Sequence, residues 1–370
     1  MNVISSLHFG GAETQVINLS KELAKQGHQV ILISLSNDVP RIVELEGSRV
    51  DIIIENKKRK LDLTVLRNLR THIKKWQPDI IHGYLYDAEF YCRLAAIGLS
   101  VAVINSERND NYKFNKNQML GDYLTTRLVN GVIANSYSGM SFSKNRYKHL
   151  NEKNFHVIWN GIDLDSVNQR LSKSNKDYKK EFFDDSTIKL ACMVASIKEQ
   201  KDYALALQVA EKLIQSDKQW RIIFLGDKLS ESDDTYKKAI HLQYNNLKEK
   251  NKIKFLGNRT DVLEILKQAD VSFLTSHYEG FPNAVLESMA VGTPAITTAF
   301  SDINKIAPHD WMTIGSREPI IFINALNKAS REKAVLSSEI TTWVTNNCSL
   351  KVIAQQLVDV YSVYMPLNRI

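Results

Sequence analysis

Short apolar runs rich in Val and Ile alternate along this chain with longer stretches of helical periodicity, the pattern of strand-helix repeats around a buried parallel sheet. In the first half, the runs Asn2 to Leu7, His28 to Ser34, Val50 to Ile54, Asp79 to His82, Val101 to Asn105, Gly131 to Asn135 and Phe155 to Ile158 are predicted strands. Between the first two, Ala12, Val16, Leu19 and Leu23 recur at helical spacing, and Gly27 stops that helix. Around Asn168 to Asp185 the chain turns polar and charged. The pattern then restarts, with strands expected at Ile188 to Ala195, Arg221 to Leu225, Ile253 to Leu256, Val271 to Leu274 and Ala295 to Thr297. The expected fold class is α/β, with two doubly wound, Rossmann-like domains at 1–167 and 187–348 and a linker over 168–186. The remainder, 349–370, is expected to be a C-terminal helix packing back toward the first domain. Ligands of open α/β sheets sit beyond the C-terminal ends of the strands, so two such sheets predict a central cleft between the domains as the site.

Composition narrows the class. A length of 370 residues suits two domains, and 44% hydrophobic with 24% charged residues is ordinary for a soluble globular protein. Lys plus Arg number 48 against 41 acidic residues, and the resulting +7 suits phosphorylated ligands or an anionic membrane surface. No aromatic-basic platform or recognition-helix motif accompanies it, so no nucleic-acid partner is expected. Cys92, Cys192 and Cys348 lie far apart without a C-x-x-C pair, which favours a reducing compartment and neither disulfide nor zinc site. No run reaches the ~18 apolar residues of a spanning helix, and the N-terminus reads as a first strand, not as a signal. A cytoplasmic protein is expected.

The densest chemistry lies between His277 and Pro294. After the strand Val271 to Leu274, a loop carries Glu279, Gly280 and Phe281. Asn283 is then a good N-cap for a helix from Ala284 to about Ala290, which Gly292 and Pro294 end. Free amides and the positive dipole end at that helix start would hold a phosphate. Glu279 before the helix can reach sugar hydroxyls, and Glu287, eight residues on, can take a ribose diol, since a carboxylate accepts paired hydrogen bonds.

The segment Asp270 to Thr298 closely resembles the donor-binding signature of the GT-B glycosyltransferases, in particular the retaining family 4, with Ser288 in place of the usual Ala. Phe9-Gly10-Gly11-Ala12-Glu13 resembles the family's first loop and helix, where Gly10 and Gly11 would let backbone approach the donor. Val157-Ile158-Trp159-Asn160-Gly161-Ile162-Asp163 is similar to the stretch that ends the family's first domain. The adjoining Asp163-Leu164-Asp165 spells D-x-D by coincidence, since the family normally works without a metal. Met193 to Asp202 stands where the family carries an Arg and a Lys for the donor diphosphate: Lys201 matches the Lys, Ser196 replaces the Arg, and Lys198 is the candidate replacement cation. Asp79 to Tyr84 resembles the strand end that turns His82 toward the cleft, with Tyr84 where a second His is often found. In Val101 to Asn109 the family's acceptor-side His is absent, and Glu107 or Arg108 is the candidate for its place.

The resemblance implies transfer of a sugar, with retention, from a nucleotide-diphosphate sugar bound by the second domain to an acceptor on the first. Glu287 would hold the ribose, Glu279 the transferring sugar, Lys201 with Lys198 the diphosphate, and the helix start at Asn283 and Ala284 the phosphate nearest the sugar; Gly280 and Phe281 complete the donor loop. His82 and Glu107 would serve catalysis beside Glu279, with Tyr84 and Arg108 on the acceptor. No metal or other cofactor is implied. A polyprenyl-linked or surface-polysaccharide saccharide is the expected acceptor, on the cytoplasmic face of an inner membrane. Lys57-Lys58-Arg59-Lys60 and the helix stripe Arg67, Arg70 and Lys74 offer a surface for anionic lipid, or simply a solvated helix face. The first strand is a few residues shorter than the family's, so an earlier start is expected. A nicotinamide-dependent dehydrogenase would need G-x-G-x-x-G after the first strand, which Gly10-Gly11 does not supply. A non-catalytic sugar-nucleotide-binding subunit is the alternative that Ser196 and Tyr84 keep open.

Overall fold

Each predicted apolar run becomes a parallel strand in the computed structural model, which describes residues 1–108, 114–229 and 234–365. Asn109 and the last residues of the expected C-terminal helix, 366–370, lie outside the described residues. Met1–Gly161 and the chain from Ser349 onward form one unit, and Ile162–Cys348 forms a second.

The first unit holds β1 (Asn2–Ile4), β2 (Val30–Ser34), β3 (Val50–Ile54), β4 (Ile80–Tyr84), β5 (Ala102–Glu107), β6 (Gly131–Ala134) and β7 (Phe155–Val157). They form a seven-stranded sheet in the order β3-β2-β1-β4-β5-β6-β7. The inner strands are buried on both sides and so read as continuous Val/Ile runs without alternation, while the edge strands β3 and β7 are partly exposed. On one face, α1 (Gly11–Lys25) and the C-terminal helix (Leu350–Ser362) close a core of Val16, Leu19, Leu23, Leu32, Ile353 and Leu357. On the other, α2 (Leu63–Trp76) and α3 (Tyr86–Ala95) pack Val65, Leu69, Ile73, Tyr91 and Cys92 against Ile31, Ile33 and Ile81.

The second unit holds β8 (Lys189–Ala195), β9 (Trp220–Gly226), β10 (Ile253–Gly257), β11 (Val271–Leu274), β12 (Ala295–Thr298) and β13 (Thr313–Ile314), in the order β10-β9-β8-β11-β12-β13. The two-residue β13 carries no periodicity and was not expected from sequence. Strand order reverses between β1 and β4 in the first sheet and between β8 and β11 in the second, and beyond the C-terminal ends of the strands at such switch points is where open α/β sheets place ligands.

The stretch expected as a linker is instead ordered. It forms two short helices, Leu164–Lys173 and Tyr178–Phe183, that belong to the second unit and bury Val167, Tyr178 and Phe182. Arg170 pairs with Glu264 at 3.0 Å to hold the first of them. Polar composition misleads here because so few apolar anchors suffice for short helices lying on an existing surface. Among the described residues, no helix is long and apolar enough to cross a membrane.

Candidate functional site

At the switch point of the second sheet, the loops after β8 and β11 meet. The first runs from Ser196 through a single 3-10 turn, Glu199–Lys201, to Asp202, whose left-handed backbone (φ 44°) starts the helix Tyr203–Ser216. The second runs from Thr275 to Pro282 and feeds the helix Asn283–Ala290. Hydrogen bonds lace them together. Thr275 Oγ1 donates to the carbonyls of Lys201 (2.8 Å) and Asp202 (3.0 Å), the His277 amide donates to Gln200 O (2.8 Å), and Gln200 Nε2 donates to Tyr278 O (2.8 Å). Gly226 lets the end of β9 lie close against the start of the first loop: with φ +133°, an added Cβ would sit 2.2 Å from the Ala195 carbonyl oxygen.

Inside this frame lies Glu279, buried. Its Oε1 accepts from Ser276 Oγ at 2.7 Å and from the Lys201 ammonium, and Gln200 Nε2 stands 3.5 Å from its other oxygen. The two residues given separate roles from sequence are therefore joined as one ion pair, with the cation screening a buried carboxylate that would otherwise be costly. Arg317, from the loop after β13, donates to Asp202 Oδ2 (2.7 Å) and Thr275 O (3.0 Å), and His277 Nε2 is 3.6 Å from the same Asp202 oxygen. Lys198 is exposed on the loop before the 3-10 turn and makes no ion pair among the described residues.

The helix after the loop starts one residue earlier than expected, so Pro282 holds the cap position and Asn283 is the first helical residue. A proline there has its φ already set and lacks an N–H to orphan. The first-turn amides, including those of Asn283 and Ala284, are the ones no carbonyl within the helix can reach. Gly280 and Phe281 are buried beneath the turn. Ser288 takes a structural part: its hydroxyl receives Ser272 Oγ at 2.6 Å and donates to Thr293 O at 2.9 Å, tying strand to helix exit. Glu287 is half-buried and bonds to no side chain among the described residues. Burial pushes its carboxyl up to about 7, opposed by the Arg170 guanidinium.

In the first unit, His82 on β4 is buried, and its Nδ1 lies 2.6 Å from Tyr361 Oη on the C-terminal helix; its Nε2 has no hydrogen-bond partner among the described residues. Burial, reinforced by Arg108, holds the imidazole well below its usual value and therefore neutral. Tyr84 packs its ring 4.2 Å from the His82 ring, with the Arg108 guanidinium 5.2 Å from its centroid. Arg108 also donates to Ser106 Oγ (2.8 Å) and Asn160 Oδ1 (2.9 Å). His82, Tyr84 and Arg108 thus form one cluster, and Leu85, directly after it, takes φ +70°, a strained value for a bulky residue.

Glu107 does not join that cluster. It is buried under Arg146 (3.0 Å) and Ser143 Oγ (3.4 Å) in a charge network with Glu89 and Asp122, so its charge is committed to holding the helix Tyr137–Arg146. Gly10 precedes α1 in extended conformation, where its carbonyl accepts from Thr14 Oγ1 (2.9 Å), and Gly11 opens the helix, exposed. Asp163 of the D-x-D string caps the helix Leu164–Lys173 by accepting from the Ser166 amide at 3.0 Å. Of the basic stripe, Arg70 is tied to the carbonyls of Ala95 (2.9 Å) and Ile97 (2.6 Å), and Lys57 to Asp87, leaving Lys58, Arg59, Lys60, Arg67 and Lys74 at the surface.

Sequence reasoning missed Ser276, Gln200, Arg317 and Tyr361. Ser276 could have been found, three residues before Glu279 in the same loop. The others arrive from distant segments that no local spacing marks.

Known proteins resemble both units of the chain. Residues 9–166 match the family model Glycosyltransferase Family 4, and residues 174–310 match Glycosyl transferases group 1. The chain is 23% identical to the Escherichia coli UDP-Gal:alpha-D-GlcNAc-diphosphoundecaprenol alpha-1,3-galactosyltransferase, over 81% of this chain and 79% of that one. It is 23% identical to the Escherichia coli O-antigen biosynthesis glycosyltransferase WclY, over 97% of each. Among solved structures, Anabaena Alr3699/HepE in complex with UDP and glucose shares the fold at a TM-score of 0.79, with 18% identity and 98% of each chain covered.

Proposed function

We propose that this chain, a glycosyltransferase of GT-B fold, moves a sugar from a nucleotide-diphosphate sugar to a saccharide acceptor with retention of anomeric configuration. The observation that carries the donor half is Glu279, held by Ser276 and Lys201 at the switch point of the second sheet and immediately before a helix N-terminus. A buried carboxylate fixed by two side chains is preorganised to receive sugar hydroxyls, and it loses little freedom when it does so. The first-turn amides at Asn283 and Ala284 supply donors for the phosphate next to that sugar. Lys201 and the exposed Lys198 stabilise the charge that accumulates on the departing diphosphate. Glu287, one turn into the helix, takes the ribose diol.

In this reading retention comes from attack on the face the leaving group vacates, with the leaving phosphate taking the acceptor proton. No protein carboxylate is assigned as nucleophile, and no metal is needed. The acceptor half rests on His82, Tyr84 and Arg108, where the buried neutral imidazole, tied to Tyr361, backs the Tyr84 ring beneath the Arg108 guanidinium. A lipid-linked saccharide is the acceptor class this reading favours, as in the galactosyltransferase relative whose name specifies a diphosphoundecaprenol acceptor. A peripheral position on the cytoplasmic face of the membrane follows.

The test is a panel of nucleotide sugars screened by thermal shift in EDTA, since a bound donor stabilises the fold by mass action without a known acceptor. One donor should raise the midpoint. Glu279→Gln should retain most of that shift while slowing transfer, or the slow hydrolysis of the same donor, by about 100-fold or more. Unchanged turnover in the variant removes Glu279 from the site, and a panel with no shift sinks the donor reading.

A further inference from the structure

The helix Lys116–Thr125 of the first unit is built inside out. Its start is well formed: Asn115 accepts from the Gln118 amide and Gln118 Oε1 accepts from the Asn115 amide, both at 3.0 Å, a complete capping box. Gly121, Asp122 and Thr125 face the protein. A Cβ at Gly121 would lie 2.8 Å from Tyr86 Oη and 3.1 Å from the Phe90 ring, so the helix sits close against α3 there. Tyr86 Oη donates to Gln118 O at 2.9 Å. Asp122 is buried and accepts from Arg93 (2.9 Å) and from Arg146 (2.8 Å).

The apolar side chains face outward: Met119 is 60% exposed, Leu120 58%, Tyr123 80% and Leu124 65%. Positions 119, 120, 123 and 124 share one helical stripe. The helix cannot roll over to hide that stripe, because turning Asp122 outward would strip two buried guanidinium groups of their shared carboxylate. An apolar face fixed outward in this way has its partner outside the unit.

Charge identifies that partner. The first unit carries 23 Lys and Arg against 16 Asp and Glu, whereas the second carries 25 of each, so the entire surplus of 7 lies on the unit that bears this helix. Exposed Lys116 and Arg127 bracket the apolar stripe. A second copy of the chain would bring like charge to this face, while anionic lipid brings the opposite. Tyr123 also suits a boundary with one apolar and one wet side.

We propose that the helix Lys116–Thr125 docks the chain on anionic bilayers, with Met119, Leu120, Tyr123 and Leu124 below the headgroups and Lys116 and Arg127 on lipid phosphates. This deepens the reading of a peripheral enzyme and rests on it only for location: docking is measured without donor or acceptor, so failure of either idea is seen separately. The full chain is floated with vesicles of phosphatidylcholine alone and with phosphatidylglycerol added. It should float with the anionic vesicles only, and more weakly as salt rises. Replacing Met119, Leu120, Tyr123 and Leu124 together by Ser should cut vesicle affinity by about tenfold or more while leaving the thermal midpoint in place, since all four are solvent-facing. Lys116→Glu with Arg127→Glu should cut it by at least about fivefold per charge. The proposal is overturned if the parent chain ignores anionic vesicles, or if the Ser variant floats as well as the parent. It is also overturned if the parent forms a dimer that the Ser variant dissolves and neither binds vesicles, which would make a second copy the occupant.

Discussion

Glu287 shows how a single side chain ties the candidate site to pH. Burial raises its carboxyl to about 7, above the ordinary value of 4.5. The folded chain therefore holds this proton more tightly than the unfolded chain does. The stabilisation is complete below about pH 4.5 and is lost as pH rises through about 7, with an upper bound of about 3–4 kcal/mol that partial solvent exposure reduces. Denaturant unfolding of the ligand-free chain should show that fall, and Glu287→Gln should flatten it; a variant with the parent's slope would assign the slope to other groups. If a ribose diol donates to this carboxylate, a nucleotide sugar prefers the ionised form. Its affinity should then rise as pH crosses about 7, and should stop doing so in the variant. Glu279 and Glu287 stand out in the sequence because the whole stretch from strand to helix exit is local, and Lys201 stands out only in a separate loop. The pairing of Lys201 with Glu279 does not, since it joins loops 78 residues apart. The ion pair of Glu107 is hidden for the same reason: Arg146 lies 39 residues further on.

The inner strands were legible as elements because burial on both faces leaves no alternation to misread, and the sheets reverse their strand order at β1/β4 and β8/β11. Elements that borrow their stability from a surface already formed were not legible. The two-residue β13 and the short helices after Leu164 have too few apolar positions to show a period. The C-terminal helix is the opposite case, since it supplies Leu350, Ile353, Ala354 and Leu357 to a core they share with α1. Ile353 is buried, and its Cβ lies 3.2 Å from where a Cβ on Gly161 would stand, so the packing has little room to readjust. Ile353→Ala should accordingly cost about 2–4 kcal/mol, read as a lower denaturant midpoint with unchanged slope. A loss under 1 kcal/mol, of the size seen at well-solvated sites, would mean that this helix is only loosely attached.

At the scale of the whole chain, the two units differ in covalent continuity, and that difference makes the donor assignment separable. The second unit is one uninterrupted segment, Ile162–Cys348, whereas the first needs both Met1–Gly161 and the chain from Ser349 onward. Every residue assigned to the donor except Gly10 and Gly11 lies in the second unit, together with the hydrogen bonds that fix Glu279. A segment with its own sheet and core can fold alone. Expressed by itself, 162–348 should unfold cooperatively and bind a nucleoside diphosphate by calorimetry, with an affinity within about tenfold of the full chain's, or about 1.4 kcal/mol. The segment 1–161 should fail to fold without the C-terminal helix and should recover structure when a 349–365 peptide is added, because that peptide restores the missing core side chains. A folded 162–348 that ignores every nucleotide would show that Glu279, Lys201 and Glu287 do not make a site on their own, and the donor would then depend on Gly10, Gly11 and the rest of the first unit.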